Sequence, residues 1–176
     1  MKKLSTSNLY DFNNGINLNL IVGKRKTSLE SINQLKLHFS AFANLQINNR
    51  GFLNIRNESG LLTSKNYLLN ELFRIGGANS IRGYNEQSIF TNGYSYSNIE
   101  FRYSLDRSSY LYSITDLGAY KESTTKKIKK LIGIGAGYQF KINNNFVNIG
   151  YVISTNSSTN TKLNNSTLVV KWTSFF

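Results

Sequence analysis

The chain has no cysteine and no proline, a single histidine, a single tryptophan, and only 9 acidic residues against 21 lysines and arginines. Without cysteine there is neither a disulfide framework nor a thiolate metal site, which excludes the small secreted disulfide scaffolds. One histidine leaves no ligand set for a transition-metal centre, so neither a metal nor a cofactor is expected. No run approaches the roughly 18 apolar residues of a membrane helix. The start, Met1-Lys2-Lys3-Leu4, is basic like a signal peptide but turns polar at Ser5 and lacks an apolar segment. That leaves two openings: a mature chain numbered afresh, or a piece whose natural start lies upstream. The formal charge of +12 raises nucleic-acid binding for a soluble protein. No recognition helix or aromatic single-strand platform accompanies the charge, and no nucleic-acid partner is expected.

What is present is strand and turn material. There are 11 Tyr and 11 Phe, and asparagine is abundant throughout. Aromatic and β-branched residues favour strands, and Asn and Gly favour the turns between them. Eight segments are read as strands with a period of two: 16–22, 35–47, 51–62, 95–105, 110–120, 131–140, 146–153 and 167–176. The alternation is poor in 51–62 and plain elsewhere. In one, Ile99, Phe101, Tyr103 and Leu105 oppose Asn98, Glu100, Arg102 and Ser104. In another, Ile132, Ile134, Ala136, Tyr138 and Phe140 oppose Gly133, Gly135, Gly137 and Gln139. The lengths are close to the roughly 9–11 residues a tilted strand needs to cross a bilayer.

A soluble sandwich also alternates, so two further features carry the reading. The non-apolar faces hold Asn, Lys, Glu, Arg and Gly, as a hydrated lumen does, and apolar faces end in aromatic residues, as interfacial girdles do. The connections also sort by length: 48–50, 106–109 and 143–145 are short, whereas 23–34, 63–94, 121–130 and 154–166 are long and polar. Short turns on one side and long loops on the other is how outer-membrane barrels are built. The expected fold is an all-β, antiparallel transmembrane β-barrel, with 1–176 as one outer-membrane barrel domain.

The longest connection contains Glu71-Leu72-Phe73-Arg74-Ile75-Gly76-Gly77-Ala78-Asn79-Ser80-Ile81-Arg82-Gly83-Tyr84. A loop of this length inside a compact domain is functional or disordered. Gly83 permits a backbone turn barred to other residues, and Tyr84 offers an apolar anchor. If the loop folds inward, Arg82 needs anionic partners, because an unpaired desolvated guanidinium is costly. The alternation puts Glu100 on the lumen face, and Asp116 must point inward too, since a charge facing lipid is penalised.

This segment resembles the loop of the Omp85 superfamily, the bacterial surface antigen and outer-membrane assembly factor type, whose members insert or translocate proteins at the outer membrane. Gly-Gly followed by hydrophobic-Arg-Gly-aromatic is its pattern, filled here by Ile81-Arg82-Gly83-Tyr84. Asn98-Ile99-Glu100-Phe101, Thr115-Asp116-Leu117-Gly118 and Gly133-Ile134-Gly135-Ala136-Gly137 follow in the family's order, and the chain ends in an aromatic signal with Val170, Trp172 and Phe176. The resemblance implies that the loop arginine docks on Glu100 and Asp116. It implies a sixteen-stranded barrel of which these eight segments are the C-terminal half, with neither the first strand nor the periplasmic repeats in this chain.

The implied function is non-enzymatic: insertion, assembly or translocation of proteins at the outer membrane of a Gram-negative-type bacterium. Expected partners are outer-membrane lipids and lipopolysaccharide, unfolded outer-membrane or secreted polypeptides, and accessory periplasmic or lipoprotein subunits. The competing reading is a small eight-stranded barrel with a structural, adhesive or pore role. A lipolytic site is the third class considered, because His38 and Ser40 share a strand face. Nothing supplies its third member, and His38 reads as a lumenal or surface histidine. Lys24-Arg25-Lys26 and the lysines at 126, 127, 129 and 130 read as solvated loop residues, or as ones drawn to anionic head groups.

Overall fold

The computed structural model describes residues 14–26, 30–122, 125–155 and 163–174. Its strands are β1 (Gly15–Lys26), β2 (Ser31–Gln46), β3 (Gly51–Ser64), β4 (Phe73–Ile75), β5 (Ile89–Ser104), β6 (Ser109–Glu122), β7 (Ile128–Ile142), β8 (Asn145–Thr155) and β9 (Leu163–Ser174). The eight long strands pair antiparallel in chain order, and β4 takes over from β3 along one edge of β5. The fold is all-β, as expected. Among the described residues β1 and β9 do not pair, so the sheet is open.

Each of the eight expected segments falls on a long strand, although β2 and β5 stop one residue short of the expected 47 and 105 and residues 175–176 lie outside the described ones; at their other ends the strands reach further than the apolar alternation does. Much of the connections expected to be long at 23–34 and 121–130 is strand, because β1 runs to Lys26, β2 starts at Ser31, β6 runs to Glu122 and β7 starts at Ile128. Lys24, Arg25, Lys26, Lys129 and Lys130 are therefore strand residues and not loop residues. The physical reason is that ladder hydrogen bonds continue past the apolar band, where side chains need no longer be apolar. The connection expected at 63–94 likewise contains β4 and the first part of β5, which is 16 residues long. Thr91 pairs with Glu122 and Tyr94 with Tyr120, so one extra residue is inserted there. That bulge explains why the alternation could not be followed upstream of Ser95.

The register sorts side chains onto two faces. Leu117 lies opposite Ile132, Thr115 opposite Ile134, and Leu111 opposite Tyr138 on the outer face, which continues into Tyr151 and Trp172. Exposed there are Ile16, Leu18, Phe101, Ile134, Ile149 and Trp172. Asn98 opposite Asp116, and Glu100 opposite Asn54, belong to the inner face, as do Gly133, Gly135 and Asn148. The inner face is less polar than expected. Tyr96, Tyr120 and Leu131 form one buried cluster with loop residues, and Tyr110, Tyr112, Ile114 and Val152 form a second. Tyr112 lies across the glycines of β7 and β8: a Cβ on Gly137 would come within 2.2 Å of its ring, and one on Gly150 within 3.0 Å of its hydroxyl. Gly137 and Gly150 thus leave the space that the Tyr112 side chain occupies. Replacing Phe101 with Arg should cost roughly 2–4 kcal/mol in a bilayer, against little for Thr173→Arg on the inner face. Urea titration of folded protein in vesicles, read by gel mobility, checks the difference; equal costs would contradict the outward register.

The short turns share one end of the sheet. Asn48 Oδ1 accepts the amides of Arg50 (3.0 Å) and Gly51 (2.6 Å), as asparagine does in turns. Asp106 accepts from the Ser108 hydroxyl (2.7 Å), the Ser108 amide (2.6 Å) and the Ser109 hydroxyl (2.8 Å), and these bonds hold its carboxyl down at about 2. A carboxyl held below its ordinary value of about 3.9 stabilises the turn fully above that value and loses the contribution as pH falls through about 2. Carboxyl carbon NMR of Asp106 should therefore titrate near 2. A midpoint near the ordinary value would mean that the turn is uncapped.

Candidate functional site

Between β4 and β5 the chain makes a loop that closes on itself before it touches the sheet. The Gly76 amide donates to Ser80 Oγ (2.7 Å), the Gly77 amide to the Ile81 carbonyl (3.1 Å), and the Gln87 amide to the Gly76 carbonyl (3.1 Å). Gly76 enters with φ +109°, where a Cβ would also meet the Asn85 carbonyl at 2.5 Å. The Ala78 amide adds a bond to Glu86 Oε2 (3.1 Å). A loop whose backbone groups are satisfied internally can enter the inner face without leaving orphans there.

Four consecutive side chains seat the loop. Ile81 is 0% exposed among Ile75, Tyr84, Ile89, Tyr96, Tyr120 and Leu131, a burial that stabilises by roughly 1.5–3 kcal/mol. Arg82 follows on the inner face. Its backbone N–H and Nε–H both donate to Asp116 Oδ2 (2.8 Å each) and Nη2 to Oδ1 (2.6 Å), so the guanidinium meets Asp116 through two parallel bonds. Nη1 donates to Glu100 Oε1. Gly83 has φ +90°, and a Cβ there would lie 2.5 Å from Ser154 Cβ, so both conformation and space demand glycine. The Gly83 carbonyl accepts from Ser154 Oγ (2.6 Å).

Tyr84 was expected as an apolar anchor, and its ring is buried in the first cluster. Its hydroxyl carries as much of the seating: it bonds Thr155 Oγ1 (2.7 Å) and receives the Ile132 amide (3.0 Å). The structure thus brings Ile81, Arg82, Gly83, Tyr84, Glu100 and Asp116 to one place. Val170 and Trp172 stand away from it on the outer face of β9, exposed, and Phe176 lies outside the described residues. His38 sits opposite Asn19 and Gly60, and among the described residues no metal-ligating group of three or more exists.

Several residues of the site were not singled out from sequence. Arg102 donates Nε and Nη2 to Glu100 Oε2 (2.9 and 2.7 Å), so Glu100 is shared by two arginines and the chain Asp116–Arg82–Glu100–Arg102 balances two charges against two. Its signal was available, since Arg102 is two residues from Glu100 on one strand face. Asn98 Nδ2 donates to the Ser80 carbonyl (2.8 Å) and Lys171 Nζ to Asn79 Oδ1 (2.9 Å), which ties the loop to β5 and β9 together. Glu58 accepts from Tyr96 Oη and pairs with Arg56. Arg56 and Glu58 stand two apart on one strand face, the same spacing as Glu100 and Arg102, whereas for the bonds of Tyr96, Asn98, Lys171, Ser154 and Thr155 the sequence offers no signal, because the partners are far apart in the chain. Beneath the loop a cavity of about 460 Å³ remains, lined by Arg56, Glu100, Arg102, Tyr112, Asn148 and Lys171 among others.

Asp116 is 0% exposed, so removing its partner strands a buried charge. Arg82→Ala should destabilise the fold by about 3–5 kcal/mol, and Arg82→Lys should rescue poorly because the fork is lost. Gly133→Ala tests seating without touching a charge, since a Cβ there would meet the Arg82 carbonyl oxygen at 2.6 Å. Trypsin should cut after Arg82 in Gly133→Ala and spare the same bond in the unmodified protein. Resistance in both would mean that the loop does not rest on Gly133.

Comparison with curated proteins yields no match. The family model of the haemolysin secretion/activation proteins ShlB/FhaC/HecB matches residues 9–140, a span that takes in the loop, Glu100, Asp116 and most of β7. Since that span is well over half of the chain, this protein belongs to the haemolysin secretion/activation family ShlB/FhaC/HecB, which is of Omp85 type.

Proposed function

We propose that the chain forms part of an outer-membrane barrel that passes unfolded, secreted polypeptides across the membrane, with all of 1–176 belonging to that barrel. The family's name, secretion and activation of haemolysin, favours translocation over insertion of membrane proteins. The observation that carries the reading is the seated arginine. A loop fastened by Arg82 to Asp116 and Glu100 crosses the inner face of a sheet whose outer face is apolar. Such a loop narrows the lumen, and the charges that hold it in place are internal, so its position can be set without a metal or a cofactor.

Lipid supports this division of faces, because only a closed β-structure satisfies every backbone group in a bilayer. The edges of β1 and β9, unpaired among the described residues, favour a larger barrel completed by further strands over eight strands acting alone. The cavity beneath the loop is lined by amides, cations and Glu100 together with tyrosines and phenylalanines, which suits passage of extended polypeptide with its polar backbone and mixed side chains.

Export of a co-expressed secreted polypeptide, measured in the medium, tests the proposal. Arg82→Ala and Asp116→Asn should each lower export by about tenfold or more at equal amounts of folded barrel, with assembly of other outer-membrane proteins unchanged. Unchanged export would remove the loop from the mechanism. Defective assembly of other barrels with normal export would turn the reading towards insertion.

A further inference from the structure

The charge balance of the chain cannot close internally. Of its 9 acidic residues, Glu30, Glu58, Glu71, Glu100, Asp116 and Glu122 are in ion pairs among the described residues. Against 21 lysines and arginines, these pairs leave a large cationic excess. Its placement on the outer face is one-sided. Five strand-borne cations point outward there: Lys24 and Lys26 on β1, Arg74 on β4, Lys121 on β6 and Lys130 on β7. Arg25, Ile75, Tyr120 and Leu131, one residue away, face inward. All five outward cations are exposed, and among the described residues none is in an ion pair. All five lie towards the end of the sheet that carries the long connections. The opposite end of the outer face has Phe101, Tyr103, Tyr138 and Trp172 and, among the described residues, no strand-borne charge.

The densest part is around the β6–β7 hairpin. Lys130 pairs with Ala119, so Lys121 is its diagonal neighbour on the same face, at about 7–8 Å by ordinary sheet spacing. Arg74 stands on the neighbouring pair, its guanidinium carbon 5.0 Å from the centre of the Phe90 ring. Like charges on neighbouring positions of one face repel, and an anion lying between them relieves the repulsion. Directly inward from the rim the face becomes apolar, with Leu117 opposite Ile132, and Val22 next to Lys24 in the outward series. Cations bordering an apolar belt fit an occupant that is anionic at one end and hydrocarbon at the other. A soluble anion would need no belt.

We propose that this rim binds the phosphate groups of an anionic lipid in the leaflet on the long-connection side, with Arg74, Lys121 and Lys130 as its main contacts. The inference rests on the membrane-barrel reading above and names the lipid that its outer face selects. The long stems of Lys121 and Lys130 can lie along acyl chains while their ammonium groups reach the phosphates.

The test is binding of fluorescent lipid A carrying two phosphates to the purified full-length protein in neutral detergent. The same lipid stripped of phosphate, and inorganic pyrophosphate as competitor, complete the comparison. Binding should need the phosphates, resist pyrophosphate, and weaken by roughly a hundredfold in the combined Arg74→Gln, Lys121→Gln, Lys130→Gln variant. Lys65→Gln, whose lysine pairs with Glu30, should bind normally, and so should a charge-keeping Lys121→Arg, Lys130→Arg variant. Equal binding of the stripped lipid, full competition by pyrophosphate, or no loss in the triple variant would each overturn the assignment. The first of these needs no variant at all. Those outcomes leave the barrel reading standing. An unmodified protein that neither enters vesicles nor shows heat-dependent gel mobility would instead remove both.

Discussion

A guanidinium carried by a loop into the interior of a sheet must find carboxylates there, and the rest of this molecule is arranged around that requirement. Arg82 meets Asp116 through backbone and side chain and reaches Glu100 as well. Asp116 is on β6 and Glu100 on β5, so one side chain registers two strands. Because Asp116 has no exposure, separating the pair would leave an uncompensated charge in a place with little water. Arg102, on the far side of Glu100, completes a neutral set of four. The seat is therefore stable as a whole and costly to dismantle in part.

Close seating requires that the sheet carry no side chain at two points beneath the loop. Gly133 lies under the Arg82 carbonyl, and Gly118 lies under Ile81, where a Cβ would sit 3.1 Å from the isoleucine Cδ1. Gly83 in turn brings the loop backbone onto Ser154 and Val152 of β8. Glycines on both partners let main chain approach main chain, and hydroxyls from Ser154 and Thr155 take up the polar groups that approach buries. The same device recurs lower on the sheet, where Tyr112 covers Gly137 and bonds Asn148. The inner face is thus packed where the loop and the tyrosines lie and open where the cavity remains.

The outer face obeys a simpler rule. It carries no acidic strand residue among those described, an apolar band through its middle, aromatic side chains towards the short turns and cations towards the long connections. A face with two different ends is suited to the asymmetric outer membrane proposed above. The inner and outer faces are chemically independent because side chains in a strand alternate. The docking site could be assembled on one without disturbing the other.

That independence also explains how far the residues could be read without coordinates. The period-two pattern in 95–105, 110–120 and 131–140 states which side chains share a face, since alternation is a local property of the backbone. It places Glu100 with the inner set, and the exclusion of charge from lipid places Asp116 there too. Strand ends were a different matter: Lys24, Lys26, Lys121 and Lys130 look like loop residues when polarity is the guide, whereas pairing with neighbours keeps them in strands. The bulge between Thr91 and Tyr94 hid the start of β5 for the same reason. Arg102 was legible from its spacing to Glu100. The bonds of Ser154, Thr155, Lys171 and Tyr96 were not, because each joins residues far apart in the chain, and only the register of adjacent strands brings such residues within reach of one another.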